Sequence, residues 1–206
     1  MNMKKTILTI LLSCALAATT RAEATTYDFN ESVGLYSATN TAGWDFSDAA
    51  DQGARLTGRS KALPSAPVYF SVNVPDGNYR VTLVLGSKKR AAETWVRAES
   101  RRLMLQGEKT RKGELRTVSF VVNKRNTVIN DKLKVRIKPG EVGSLTWDDK
   151  LTLEFCGAAP AVQSVTIEPD TTAVTLYLCG NSTVVDQGRE PWASWGRMFP
   201  RWFTDK

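Results

Sequence analysis

The stretch Val68-Tyr-Phe-Ser-Val-Asn-Val-Pro-Asp-Gly-Asn-Tyr-Arg-Val-Thr-Leu-Val-Leu85 decides the fold class. Val68, Phe70, Val72 and Val74 recur at every second position, and so do Tyr79, Val81, Leu83 and Leu85. A period of two turns alternate side chains to one face, so each run reads as a strand with one face in a core. Pro75-Asp-Gly-Asn78 between them is a turn cluster, with a glycine to accept positive φ. The two runs are therefore expected to pair as a hairpin.

The same signal continues downstream. Short strands are expected at 93–98, 101–106, 115–123, 132–138, 151–155 and 162–167, separated by Gly107, Gly113, Asn130-Asp131 and Pro139-Gly140. Upstream, Tyr27-Asp-Phe29 opens a strand. The stretch 32–64 reads as loops with one short strand near 54–56. Closely spaced alternating strands with turn punctuation predict an all-β chain, an antiparallel β-sandwich or jelly roll, over 23–168. Pro160 and Glu168-Pro-Asp-Thr-Thr172 then mark a boundary.

Beyond it the pattern changes. Val174-Thr-Leu-Tyr-Leu-Cys179 is nearly continuous in apolar side chains, as in a buried parallel strand. Gly180-Asn-Ser-Thr183 follows as a tight turn. Trp192, Trp195, Phe199 and Trp202 or Phe203 recur at helical spacing, with Pro191 suited to a first turn and Pro200 ending or kinking the helix near Phe199. The region 169–206 thus reads as the first strand and helix of an α/β unit, whose aromatic face is either exposed or folded back on the sandwich.

Residues 1–22 combine Lys4 and Lys5, an apolar run from 7 to 18, and small residues before Glu23, which is a secretory signal peptide and places the mature chain outside the cytoplasm or in the periplasm. A transmembrane anchor is the weaker alternative, and a lipoprotein anchored at Cys14 a minority one. No later stretch is long and apolar enough for a stable membrane span. Setting aside Lys4, Lys5 and Arg21 leaves 25 basic against 21 acidic residues. That excess is compatible with an acidic polysaccharide, and equally with a solvated surface. The runs Lys88-Lys-Arg90 and Arg101-Arg102 lack interleaved aromatics, so no nucleic-acid partner is expected. Cys156 and Cys179 read as separate small buried side chains rather than a disulfide.

The chain contains no histidine. A Ser-His-Asp triad cannot be completed within it, and histidine metal sites are excluded. No cofactor is expected, and no metal: Asp148-Asp149 beside Trp147 reads as a turn before Ca²⁺ ligation. Glu93, Glu99 and Glu108 form no catalytic pair, and Asp186 and Asp205 read as solvated or capping groups. Trp44, Trp95 and Trp147 are candidates for stacking on sugar rings, with burial in the core the commoner fate of such residues. Ser182 is the one nucleophile-like residue: a serine in a tight turn after a strand presents its hydroxyl to solvent.

Gly180-Asn181-Ser182-Thr183 after an apolar strand resembles the first motif of the SGNH (GDSL-type) hydrolases, usually Gly-Asp-Ser with the serine as nucleophile. Leu178-Cys-Gly-Asn-Ser-Thr-Val-Val-Asp-Gln187 with Glu190-Pro-Trp-Ala-Ser-Trp-Gly196 is similar to secreted bacterial rhamnogalacturonan acetylesterases. Val74-Pro-Asp-Gly-Asn-Tyr-Arg-Val-Thr82 and Leu145-Thr-Trp-Asp-Asp-Lys-Leu-Thr-Leu-Glu-Phe155 resemble the galactose-binding-like β-sandwich found before such esterase domains. The resemblance implies Ser182 as the catalytic nucleophile, its backbone N–H as an oxyanion donor, Gly180 and Asn181 as motif positions, and acetylated pectic polysaccharide as substrate. It also implies that the base and the other oxyanion donors have no counterpart in this sequence, so that the catalytic domain is truncated and the chain alone inactive. The alternative is a non-catalytic carbohydrate-binding module.

Overall fold

The computed structural model describes residues 23–47, 51–187 and 191–203. The expected signal peptide, Cys14, Glu190 and Asp205 lie outside them. The chain is all-β in its main body, with two antiparallel sheets. In sequence order the strands are β1 Thr25–Asp28, β2 Ala42–Asp45, β3 Val68–Asn73, β4 Gly77–Gly86, β5 Ala92–Ala98, β6 Arg102–Thr110, β7 Leu115–Lys124, β8 Lys150–Ala159 and β9 Val162–Pro169. The short helix α1 is Gln52–Leu56 and α2 is Trp195–Met198, followed by a 3₁₀ turn at Phe199–Trp202. One sheet has the order β1-β9-β4-β7, the other β2-β3-β8-β5-β6.

The inward residues of the two sheets form one core. Phe70 and Val72 from β3, Leu153 and Phe155 from β8 meet Val81 and Leu83 from β4, Phe120 from β7 and Val165 from β9. Phe29, just past β1, is fully buried and joins the layers. Its ring lies 4.6 Å from Trp44, 5.0 Å from Phe70 and 6.0 Å from Phe155, tilted or edge-on to each, which suits the aromatic quadrupole.

The expected hairpin does not form. β3 pairs with β2 and β8, whereas β4 pairs with β7 and β9 in the opposite sheet. Alternation states which face is buried; it does not name the neighbour. Both runs face the same core from opposite sides, and 74–76 carries the chain across. Asp76 fixes that crossing by accepting from the buried Lys124 Nζ at 2.9 Å.

Three further expectations are corrected. Residues 54–56 are helical, not extended: Arg55 pairs with Asp51 one turn away at 2.6 Å, and Leu56 points into the core. Residues 132–138 form only a bridge from Val128 to Lys134; Leu133 is 58% exposed, so alternation there has no core to face. Residues 174–179 are neither strand nor buried: Val174 is 96% exposed, and Leu176, Tyr177 and Cys179 are also exposed. A buried parallel strand needs a sheet to join and cover for its faces, and no described strand pairs with this segment. The strand β2 had no expectation, because Ala42-Gly-Trp-Asp45 is too short and Gly-bearing to show a period. Among the described residues, no helix is long and apolar enough to cross a membrane.

The segment after β9 is nonetheless tethered. Asp170 pairs with Arg80 at 2.7 Å and accepts from the Thr172 hydroxyl and N–H and from Ala173, which holds its carboxyl down at about 2. The Asn78 amide donates to Thr175 Oγ1 at 2.9 Å. The C-terminal helical turn folds back on β6, with Gly196 and Arg197 buried and Trp192, Trp195 and Trp202 exposed.

These assignments predict opposite outcomes for two apolar truncations in urea unfolding. Phe29→Ala is expected to cost about 3–5 kcal/mol through the cavity it leaves. Leu176→Ser is expected to change stability by less than about 0.5 kcal/mol. A large loss in the second variant would restore the buried strand.

Candidate active site around Ser182

Ser182 sits in a turn built by its neighbour. The Asn181 carbonyl accepts the N–H of Val184 at 2.9 Å and of Val185 at 3.1 Å. The Asn181 side chain accepts the Thr183 N–H at 3.0 Å and hydroxyl at 2.8 Å, a local bond that short polar side chains make in turns. Gln187 Nε2 closes the loop by donating to the Ser182 carbonyl at 2.9 Å. Ser182 itself is exposed, and neither its hydroxyl nor its N–H has a hydrogen-bond partner among the described residues. The turn therefore places a free hydroxyl and a free amide side by side.

The turn is docked, not dangling. The Trp195 N–H donates to the Thr183 carbonyl at 3.0 Å. Gly196 is required there, since a Cβ would overlap the Val184 carbonyl. Ser194 caps α2 by accepting the Arg197 N–H at 3.2 Å. Arg197 is 1% exposed and donates to the Gln187 carbonyl at 3.0 Å, joined by Arg101 at 3.4 Å. Burial lowers the affinity of both guanidinium groups for their protons, and their proximity to each other and to Arg97 adds to it for Arg101.

On the sandwich side, Asp186 is held by Arg102 Nε at 3.5 Å and by the Thr146 hydroxyl at 3.4 Å. Thus Asp186 is an anchor, not a solvated group. Arg101, beside Arg102 in a local basic run, is also buried, at 7% exposed. Gly180, Asn181 and Ser182, the three motif positions, all line one cavity of about 550 Å³. Its opposite wall belongs to the sandwich: Tyr69 of β3, Ser100 and Arg101 of the β5–β6 turn, and the loop 138–145. Ser100 and Ser144 share a hydroxyl hydrogen bond of 2.8 Å that ties turn to loop.

The β5–β6 turn is strained. Glu99 and Arg101 have φ of 55° and 66°, a left-handed region that non-glycine residues rarely adopt. Glu99 is 1% exposed; its Oε1 accepts the Thr152 N–H at 3.1 Å and its Oε2 lies 3.6 Å from Arg102. Desolvation outweighs that cation and pushes the carboxyl up to about 8. Nothing in sequence separated Glu99, Tyr69 or loop 138–145 from their neighbours.

Among the described residues the site offers a hydroxyl, an amide N–H and cations; of its carboxylates, Glu141 accepts the Lys138 N–H at 3.0 Å and none bonds the Ser182 hydroxyl. Asp186 is engaged, burial keeps Tyr69 protonated above its ordinary range, and the chain has no histidine. Among the described residues no group of side chains is arranged to hold a metal ion. Elsewhere, Trp44 is core, Trp147 is half-buried beneath Arg125 at 5.1 Å, and Trp95 is half-buried on the outer sheet face. Both described cysteines are free; Cys156 is half-buried with its thiol pushed up to about 11 by desolvation, whereas Cys179 is exposed, against the expectation of burial.

Glu99 makes stability depend on pH. In the fold it keeps its proton to about pH 8, in the unfolded chain only to about 4.5. Between these values the folded state binds the additional proton, so stability falls as pH rises through that window. Glu99→Gln cannot ionise. Its melting temperature relative to the parent is expected to rise by several degrees between pH 5 and pH 8, at roughly 3 °C per kcal/mol. A difference independent of pH would show that Glu99 is ionised in the fold.

No protein-family model matches the chain. The crystal structure of the YxiM protein of Bacillus subtilis aligns with a TM-score of 0.41 and 19% identity, over 87% of this chain and 51% of that one. In sequence, 140 residues, or 66% of this chain, are 26% identical to YxiM, an uncharacterized esterase of Bacillus subtilis. This chain spans about a third of that relative, 31% of its length. What the chain is similar to, at a distance and in part, is therefore a protein described as an esterase.

Proposed function

We propose that the chain carries the nucleophile and one wall of the substrate site of a secreted or periplasmic carbohydrate esterase, which removes acetyl groups from pectic polysaccharide such as rhamnogalacturonan. The observation that carries the reading is the pairing of a free Ser182 hydroxyl with a free Ser182 N–H on one cavity. The Gly-Asn-Ser motif, its likeness to the SGNH hydrolases, and the similarity to the YxiM esterase support it. In this reading the sandwich is a galactose-binding-like jelly roll placed before an SGNH catalytic unit.

The chemistry follows from the two groups. Ser182 Oγ attacks the acetyl carbonyl carbon while a base takes its proton. The carbonyl oxygen gains the charge, and the Ser182 N–H donates to it; one such donor contributes about 3 kcal/mol. The sugar hydroxyl leaves with a proton, and water then releases acetate from the acetyl-serine. The base is supplied by residues outside this sequence, since the chain contains no histidine. No cofactor takes part.

A second reading, a non-catalytic carbohydrate-binding module, is favoured by that missing base. The two separate in acetate release from acetylated rhamnogalacturonan. This sequence expressed alone is expected to release none. Joined to the histidine-bearing remainder that the proposal requires, it is expected to turn over, and Ser182→Ala to lower the rate by at least about a thousandfold. Turnover retained in Ser182→Ala would overturn the esterase reading.

A further inference from the structure

A second cavity, of about 560 Å³, lies on the outer face of the five-stranded sheet. Trp95, Arg97, Glu154 and Cys156 line it, together with Tyr69 and Arg101. Tyr69 and Arg101 also line the Ser182 cavity. The two hollows therefore border each other at Tyr69 and Arg101.

Trp95 is presented by an unusual local structure. The ladder shifts register beside Trp95 on both sides, against β6 and against β8. Cys156 is the partner of Trp95 on β8, and two glycines with positive φ lie beside the indole, Gly107 at 65° and Gly157 at 117°. A Cβ on either would meet the indole, at 3.4 Å and 3.2 Å. The pyrrole side of the indole thus packs against backbone that a side chain at either glycine would crowd. Its Nε1 leans to Glu93 at 3.4 Å, which fixes the tilt. Beside it Arg97 Nη1 donates to Glu154 Oε1 at 3.0 Å. Glu154 is 3% exposed, and its Oε2 has no hydrogen-bond partner among the described residues.

We propose that this groove holds an extended pyranose oligosaccharide, with one sugar ring stacked on Trp95 and the chain continuing over Tyr69 towards Ser182. A flat indole matches the apolar C–H face of a pyranose, and an adjoining guanidinium and carboxylate provide donors and acceptors for its hydroxyls. Sites of this kind combine aromatic area with a few fixed polar groups. The Trp95 subsite stands on its own geometry; its link to Ser182 as the point of reaction rests on the esterase reading above. The sandwich then belongs to the substrate path, setting how many sugar units the enzyme grips.

The test is calorimetric titration of the full chain with deacetylated rhamnogalacturonan oligosaccharides of two and six units. The hexamer is expected to bind at least about tenfold more tightly than the dimer. Trp95→Ala is expected to abolish that advantage, and Trp95→Phe, which keeps a stacking ring, to restore most of it. Should Trp95→Ala melt early, the Phe variant and quenching of tryptophan fluorescence by the hexamer decide the matter. The titration uses deacetylated sugar and reads no turnover, so failure of the groove (hexamer binding kept in Trp95→Ala) and failure of the esterase reading (acetate release kept in Ser182→Ala) are separate results. Equal affinities for dimer and hexamer, or undiminished hexamer binding by Trp95→Ala, would overturn the proposal. So would no hexamer binding with unchanged fluorescence, the result expected if further protein covers this face.

Discussion

One guanidinium ties the structure together. Arg102, at the start of β6, donates to the Asn123 carbonyl of β7 at 2.9 Å. Those two strands are edges of opposite sheets, so this bond closes the open side of the sandwich. The same group lies 3.6 Å from Glu99 and 3.5 Å from Asp186. It thus joins both sheets, the strained β5–β6 turn and the segment that carries Ser182. Its side chain is only 12% exposed, so these charges are poorly screened by water. With Glu99 neutral below about pH 8, Asp186 is the charge that answers the buried guanidinium, and its loss costs more than that of a surface pair.

That junction explains why a polar turn with few apolar contacts of its own has a defined position. The Ser182 turn buries little hydrophobic surface: Val185 is 43% exposed, and Trp192 and Trp195 are more so. It is placed by polar contacts to Gln187, Thr183 and Asp186 instead. Polar docking of this kind gives precise geometry with modest stability. It suits a site whose opposite wall, Tyr69 and loop 138–145, comes from another part of the chain.

Much of the sandwich was legible because its strands repeat a simple rule. Phe70, Val72, Val81 and Leu83 each occupy the inward position their alternation assigned. What alternation does not contain is the neighbour, and so β3 and β4 were joined as a hairpin when each belongs to a different sheet. The error at 174–179 has another source: Val174, Leu176 and Leu178 describe an apolar run, but burial is a property of what surrounds a run. Of the candidate site, Ser182 was singled out by the Gly-Asn-Ser-Thr turn taken with the apolar run before it, the aromatic spacing after it and the strands upstream. Arg101 and Arg102 were not, since two adjacent arginines read as surface until the fold buries them. Trp95 was visible as an aromatic candidate, but the positive-φ glycines it packs against are distant in sequence and meet it only through the ladder.

The central claim is that the Ser182 turn is docked on the sandwich, with loop 138–145 as its opposite wall. Cys179 is exposed and adjoins the turn, which makes it a site for a nitroxide spin label. With Cys14→Ser and Cys156→Ser to leave a single thiol, paramagnetic broadening of backbone amides reports which residues lie near it. Selective broadening of Ser100, Arg101 and residues 140–145, with the β1 and β9 amides sharp, is the predicted result. Broadening confined to the segment after β9, with loop 138–145 unaffected, would contradict the account.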